Sequence, residues 1–194
     1  MAMPKMQPMT EAEYETWHRQ QEDRYEYVDG RPQLKFCDWD GPKMMTGATQ
    51  AHNMVAANVL FMLMTLLKGG PCRAFQSDGK VVTARGNHRF PDVAVDCGTY
   101  RPGGYDLEKP VVVVEVLSKS THWIDTTRKL DDYKSVVAIQ HIVFLAQDEM
   151  RGQCWTRAAE WEVAYFEGPE AGIDLPALGV RLELRAVYEG ALEG

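Results

Sequence analysis

"VVVVEVLSKS", residues 111–120, sets four consecutive valines directly before Glu115, with Val116 after it. A run so rich in β-branched residues reads as a strand covered on both faces, because a half-exposed strand would alternate apolar with polar residues. An ionised carboxylate in such surroundings costs several kcal/mol unless it is paired, or else its pKa rises. Glu115 therefore needs a partner, and the nature of that partner bears on both fold and chemistry.

The nearest upstream strand carries a second carboxylate. In "FPDVAVDCG" (90–98), Asp92 follows Pro91 and opens a short β-like run. If this strand pairs with the valine strand across the Gly/Pro-rich loop 98–110, Asp92 and Glu115 come close on one sheet face. Two converging carboxylates either share a proton or bind a cation, and hard oxygen donors suit Mg²⁺ or Mn²⁺. The competing readings are a turn-capping Asp92 and a buried salt bridge at Glu115.

The flanking sequence organises around these strands. "MTEAEYETWHRQQ" (9–21) reads as a short helix, with Thr10 as N-cap and Glu13 completing a capping box. "RYEYVDGRPQLK" (24–35) is a hairpin turning at Asp29-Gly30, with Glu26 set among aromatics. Residues 48–67 form the clearest helix, ending at Gly69-Gly70-Pro71. "STHWIDTTRKLDDYKSVV" (120–137) is another, capped by Ser120 or Thr121, with Leu130 and Tyr133 in its apolar stripe. "QHIVFLAQ" (140–147) is a buried strand, and "GQCWTR" with "EWEVAYFE" forms a closing hairpin. One helical crossover near the end does not fit a doubly wound sheet. The expectation is one α/β (α+β) domain over residues 1–194.

With 194 residues, 45% hydrophobic and 25% charged, the chain has the composition of a folded soluble protein. The greasiest stretch, "MVAANVLFMLMTLL" (54–67), is too short for a membrane span. The opening residues show no apolar core behind their one lysine, so a cytoplasmic setting is expected. Its many large apolar residues, Met62 and Met64 among them, suit a core or a homodimer contact. Cys37, Cys72, Cys97 and Cys154 lack metal-site spacing and are expected as free thiols. A net charge of −7 argues against coating nucleic acid non-specifically. It leaves room for a local basic groove at Arg85, His88, Arg89 and Lys119. His52, His88 and His122 read as surface or capping residues. No P-loop, G-x-G-x-x-G or G-x-S-x-G motif is present.

An ordered set of segments carries a resemblance: "MTEAEYETW", "YEYVDGR", "HNMVAANVL", "RFPDVAVD", "VVVVEVLSKST", "DTTRKLDDYKSV" and "HIVFLAQD". Together they resemble the Uma2 family of restriction-endonuclease-like proteins, within the PD-(D/E)xK nuclease superfamily. The resemblance implies a mixed central sheet of four or five strands flanked by helices. It implies Asp92 and Glu115 as Mg²⁺ (or Mn²⁺) ligands and Glu26 as the acidic residue from the N-terminal region. The superfamily's lysine falls where this chain has Leu117, and Lys129 in "DTTRKLDDY" is the implied substitute. The bland alternative for Lys129 is an i,i+4 surface pair with Asp125, and for Glu26 an outward hairpin position. The implied activity is Mg²⁺-dependent phosphodiester hydrolysis, with DNA as the partner. The alternative is a catalytically inactive nuclease fold serving as a binding or assembly module.

Overall fold

The computed structural model describes residues 7–35, 48–118 and 123–192, with side chains described from residue 126 in the last segment. Helix α1 (Glu11–His18) begins on the expected capping box between Thr10 and Glu13. Strands β1 (Tyr25–Val28) and β2 (Arg31–Leu34) form the expected hairpin. Its turn uses Asp29 (φ 49°) and Gly30 (φ 75°), both in the left-handed region that two-residue hairpins require. Helix α2 (Gln50–Leu66) starts where the Thr49 hydroxyl accepts from the His52 amide at 3.1 Å. Strands β3 (Arg73–Gln76), β4 (Val81–Val82), β5 (His88–Arg89) and β6 (Val93–Asp96) follow. Then come β7 (Pro110–Leu117), helix α3 (Trp123–Lys134) and β8 (His141–Ala146). The chain continues through β9 (Arg151–Thr156), β10 (Val163–Glu167), β11 (Gly172–Leu175), β12 (Val180–Glu183) and the short α4 (Leu184–Val187).

The central sheet is mixed and six-stranded, in the order β10-β9-β8-β7-β6-β3. That is more than the four or five strands anticipated, and the β9–β10 hairpin sits in the same sheet as its outer pair. β6 pairs antiparallel with β7, as adjacency suggested, while β8 runs parallel to β7 after the α3 crossover. A smaller sheet, β2-β1-β5-β4, stands beside it, and β11 and β12 form a separate ribbon.

Both faces of β7 are covered, which is why its valines do not alternate with polar residues. On one face Val112, Val114 and Val116 pack with Val55, Val59 and Leu63 of α2. On the other, Val113 packs with Ile142, Phe144 and Tyr133 of α3. Glu115 follows Val113 by two positions and so points to the α3 face.

Cys72 and Cys97 are joined in a disulfide, against the expectation of free thiols. They flank the last cross-strand pair of β3 and β6, Arg73 with Asp96, and their Cα atoms lie 4.1 Å apart. Cys154 is free and buried, whereas Cys37 lies outside the described residues. So do the 36–47 segment, Lys119, the Ser120/Thr121 cap and His122. The Asp125 side chain is likewise outside them. No helix among the described residues is long and apolar enough to cross a membrane.

Candidate active site

The pairing of β6 with β7 brings the two anticipated carboxylates together. Val93 is opposite Val114, so the register carried one step further sets Asp92 against Glu115. Both are almost completely buried, at 5% and 2% exposure.

Protein groups surround Glu115 from α3. The Lys129 ammonium lies 3.1 Å from one carboxylate oxygen, and the Tyr133 hydroxyl donates to the other at 2.5 Å. Four residues apart on one helix, Lys129 and Tyr133 stand one turn above the other and can grip the same carboxylate. Burial pushes the Glu115 carboxyl above its ordinary value, Lys129 works against this, and Asp92 reinforces it. Burial, with the neighbouring Glu115 carboxylate, also raises the Tyr133 phenol, which keeps it a donor.

Asp92 is held differently. One of its oxygens accepts from the Val116 amide at 2.8 Å and lies 3.3 Å from His52 Nε2. The other is 3.2 Å from the Lys35 ammonium, itself buried. Burial alone would raise this carboxyl; Lys35, then the hydrogen bond and charge of His52, overcome that and hold it well below the carboxylate range. The first turn of α2 and the end of the β1–β2 hairpin thus both reach the carboxylate.

Glu26 lies within electrostatic reach of the pair, where its charge adds to burial in raising Glu115 and Tyr133. It is buried, not the outward residue an alternating hairpin would make it. Its carboxylate accepts from Arg89 at 2.5 Å and from the Phe90 amide at 3.3 Å. Burial opposes its charge, but Lys129 and Arg89 outweigh it and lower the Glu26 carboxyl. Arg89 also grips Asp132 of α3 through Nε at 2.8 Å and Nη2 at 2.7 Å. Asn87 donates to both oxygens of Asp132, at 3.0 and 3.1 Å. A continuous polar network therefore runs from β1 through Arg89 to α3.

His88 and Arg89 do not contribute to the local basic groove that the charge balance left room for. Both are buried, and His88 lies 3.0 Å from Glu11 and 3.2 Å from Glu15. His88 is covered by Tyr14 of α1 and Tyr27 of β1, and Arg89 is held internally by Glu26 and Asp132. Leu117, at the superfamily's lysine position, lines a cleft of about 300 Å³ at the ends of β7 and β8, with Phe144, Arg151 and Gln153.

Sequence reading did not find Lys35, Tyr133 or Asp132, and it took His52 for a surface or capping residue. Tyr133 was disguised by its place in an apolar stripe; its spacing of four from Lys129 was the available signal. Nothing local marks Lys35, whose role depends on how the hairpin docks.

Asp92 and Glu115 offer hard oxygen donors side by side, and Mg²⁺ commonly needs only one or two carboxylates because it retains water. The buried carboxylates of Glu26, Asp92, Glu115 and Asp132 stand against the cations Lys35, Arg89 and Lys129, with His52 as a fourth when protonated. Among the described residues no three His, Cys, Asp or Glu side chains form a ready metal cluster, so the donor set is the pair alone.

Residues 11–186 match the model of Uma2, described as "Putative restriction endonuclease". Among solved structures, the chain is similar to "a putative nuclease belonging to DUF820 from Anabaena variabilis ATCC 29413", with a TM-score of 0.69. The two share 17% sequence identity, and the match covers 89% of this chain and 93% of that one, a likeness of fold. No curated protein matches the sequence.

Proposed function

Because the chain belongs to the Uma2 family, on a restriction-endonuclease-like fold, we propose that it is a metal-dependent endonuclease acting on phosphodiester bonds in DNA. The observation that carries this reading is the meeting of Asp92 and Glu115 across β6 and β7, with Lys129 at 3.1 Å from Glu115. Asp92 and Glu115 are the residues that would hold Mg²⁺ or Mn²⁺. Such a cation supplies a water of lowered pKa and neutralises charge developing on phosphate.

The chain's own groups have separable tasks in this scheme. Tyr133 fixes one oxygen of Glu115, and the Val116 amide fixes one of Asp92, so the donors are oriented before substrate arrives. Lys129, as a compact point charge on a flexible stem, orients the attacking water or meets the phosphate. Glu26 is a positioning residue, reaching α3 through Arg89 and Asp132. A homodimer would supply two such sites, one for each strand of a duplex.

A second reading has one observation in its favour. Lys35 and Lys129 already pair with Asp92 and Glu115, and the lysine position two residues after the glutamate is Leu117. A non-catalytic nucleic-acid-binding module could be stabilised in that way.

Cleavage of supercoiled plasmid with and without Mg²⁺ or Mn²⁺ separates the two. The nuclease reading expects metal-dependent nicking that Asp92→Ala reduces by about a hundredfold or more, the scale of losing a metal's electrostatic contribution. Cleavage unchanged in Asp92→Ala refutes the site. DNA binding without cleavage by the native chain supports the second reading.

A further inference from the structure

Helix α2 has no Asp, Glu, Lys or Arg among its 17 residues. Its inward face, His52, Val55, Val59 and Leu63, is buried against the central sheet. The outward face should then carry charge, as solvent-facing helix surfaces do. It carries Met54, Ala57, Phe61 and Met64 instead, all exposed, with Phe61 71% accessible. Leu66 adds a further half-exposed apolar side chain at its end. The patch is on the order of 400 Å² of apolar surface, within the range of the largest patch on a typical monomer, which is often functional.

The spacing of the four residues is informative. Steps of three, four and three are the a/d seam of a helix that packs against another helix. The order of sizes is self-complementary as well. About a two-fold axis level with Val59, an antiparallel second copy sets Met54 against Met64 and Ala57 against Phe61. A small residue then faces the largest one twice, which is how facing layers interdigitate. Asn53 and Thr65, both exposed, add uncharged polar side chains on the two flanks of the seam.

Charge selects the occupant. Each chain carries −7, so most surfaces of two copies repel, and α2 itself brings no Asp, Glu, Lys or Arg side chain to the contact. An acidic membrane would require basic residues along the helix, and only Lys68 stands near its end.

We propose that α2 is the face through which two copies of this chain pair, antiparallel and about a two-fold axis. With its border the contact would bury on the order of 1,000 Å² in total, the lower end of specific interfaces. The proposal is independent of the nuclease reading, since oligomeric state is measured without DNA or metal.

Sedimentation equilibrium of the full chain in chelator, up to about 100 μM to cover a micromolar dissociation constant, tests it. The native chain is expected to dimerise, and Phe61→Glu to stay monomeric, with the native melting temperature at dilutions where both are monomers. Phe61→Ala should weaken pairing by about tenfold or more. The exchange Ala57→Phe with Phe61→Ala should restore it, because the small-against-large match returns. A native chain monomeric throughout overturns the proposal. So does a dimer that survives Phe61→Glu, or an exchange that pairs no better than Phe61→Ala.

Discussion

Glu115 is an ionisable group in a strand otherwise made of valine, leucine and proline, and it sits between opposing influences. Burial and Asp92 raise its carboxyl, while Lys129 lowers it. Asp92 and Glu26 end on the other side of the same balance, each lowered once its cationic neighbours outweigh burial. The sign of the pH dependence follows. A lowered carboxyl stabilises the fold above its unfolded pKa, about 4 for these side chains, and loses that contribution as pH falls toward the folded value. Glu115, raised, works in the opposite sense: its contribution is full below about 4 and declines as pH rises through its folded value. Denaturant unfolding in chelator is therefore expected to show stability falling below about pH 4, with a shallower fall in Glu26→Gln. An acid limb unchanged in Glu26→Gln would contradict the ionised Glu26. At this scale the sequence was informative where a residue violated its surroundings. A glutamate behind four valines demanded a partner, whereas Tyr133 violated nothing and passed for core.

Helix α3 is the element on which the site depends. Lys129 and Tyr133 face Glu115, Asp132 takes Arg89, and Arg128 forms an ion pair with Asp29 at the turn of the β1–β2 hairpin. Arg89, 1% exposed, joins two buried carboxylates from different parts of the chain. Replacing it leaves both charges without their cation, so Arg89→Met should cost about 3–5 kcal/mol, the usual result of breaking a buried pair from one side. Loss of less than about 1 kcal/mol in urea unfolding, the range of exposed pairs, would mean that the network contributes little. The elements themselves were largely legible. The capping box, the Asp29-Gly30 turn and the covered valine strand are local signals, and the local chemistry is what the structure uses. The sequence left Arg89 open to a surface groove because its burial depends on long-range contacts with Glu26 of β1 and Asp132 of α3. The Cys72–Cys97 bond was illegible for a similar reason, since it needs the β3–β6 register.

Across the whole molecule, the charged network lies where three pieces meet: the small sheet through Glu26 and Lys35, α2 through His52, and the central sheet with α3. Both hydrophobic clusters lie on either side of the central sheet, so the carboxylate pair has apolar packing around it and cannot move far without disturbing a core. This arrangement explains why the sequence could supply the pair and its lysine but not their surroundings. Asp92, Glu115 and Lys129 belong to neighbouring segments of one β-β-α unit, while Lys35 and His52 arrive from outside it. The most direct test of cation binding at the carboxylate pair is an electron paramagnetic resonance titration of Mn²⁺ into the native chain and into Glu115→Gln. Specific binding by the native chain, lost or weakened by about tenfold or more in the variant, is the expected result. Equal binding by both, or none by the native chain at about millimolar Mn²⁺ (a free energy near 4 kcal/mol), would contradict it and leave Lys129 and Tyr133 as the partners of Glu115.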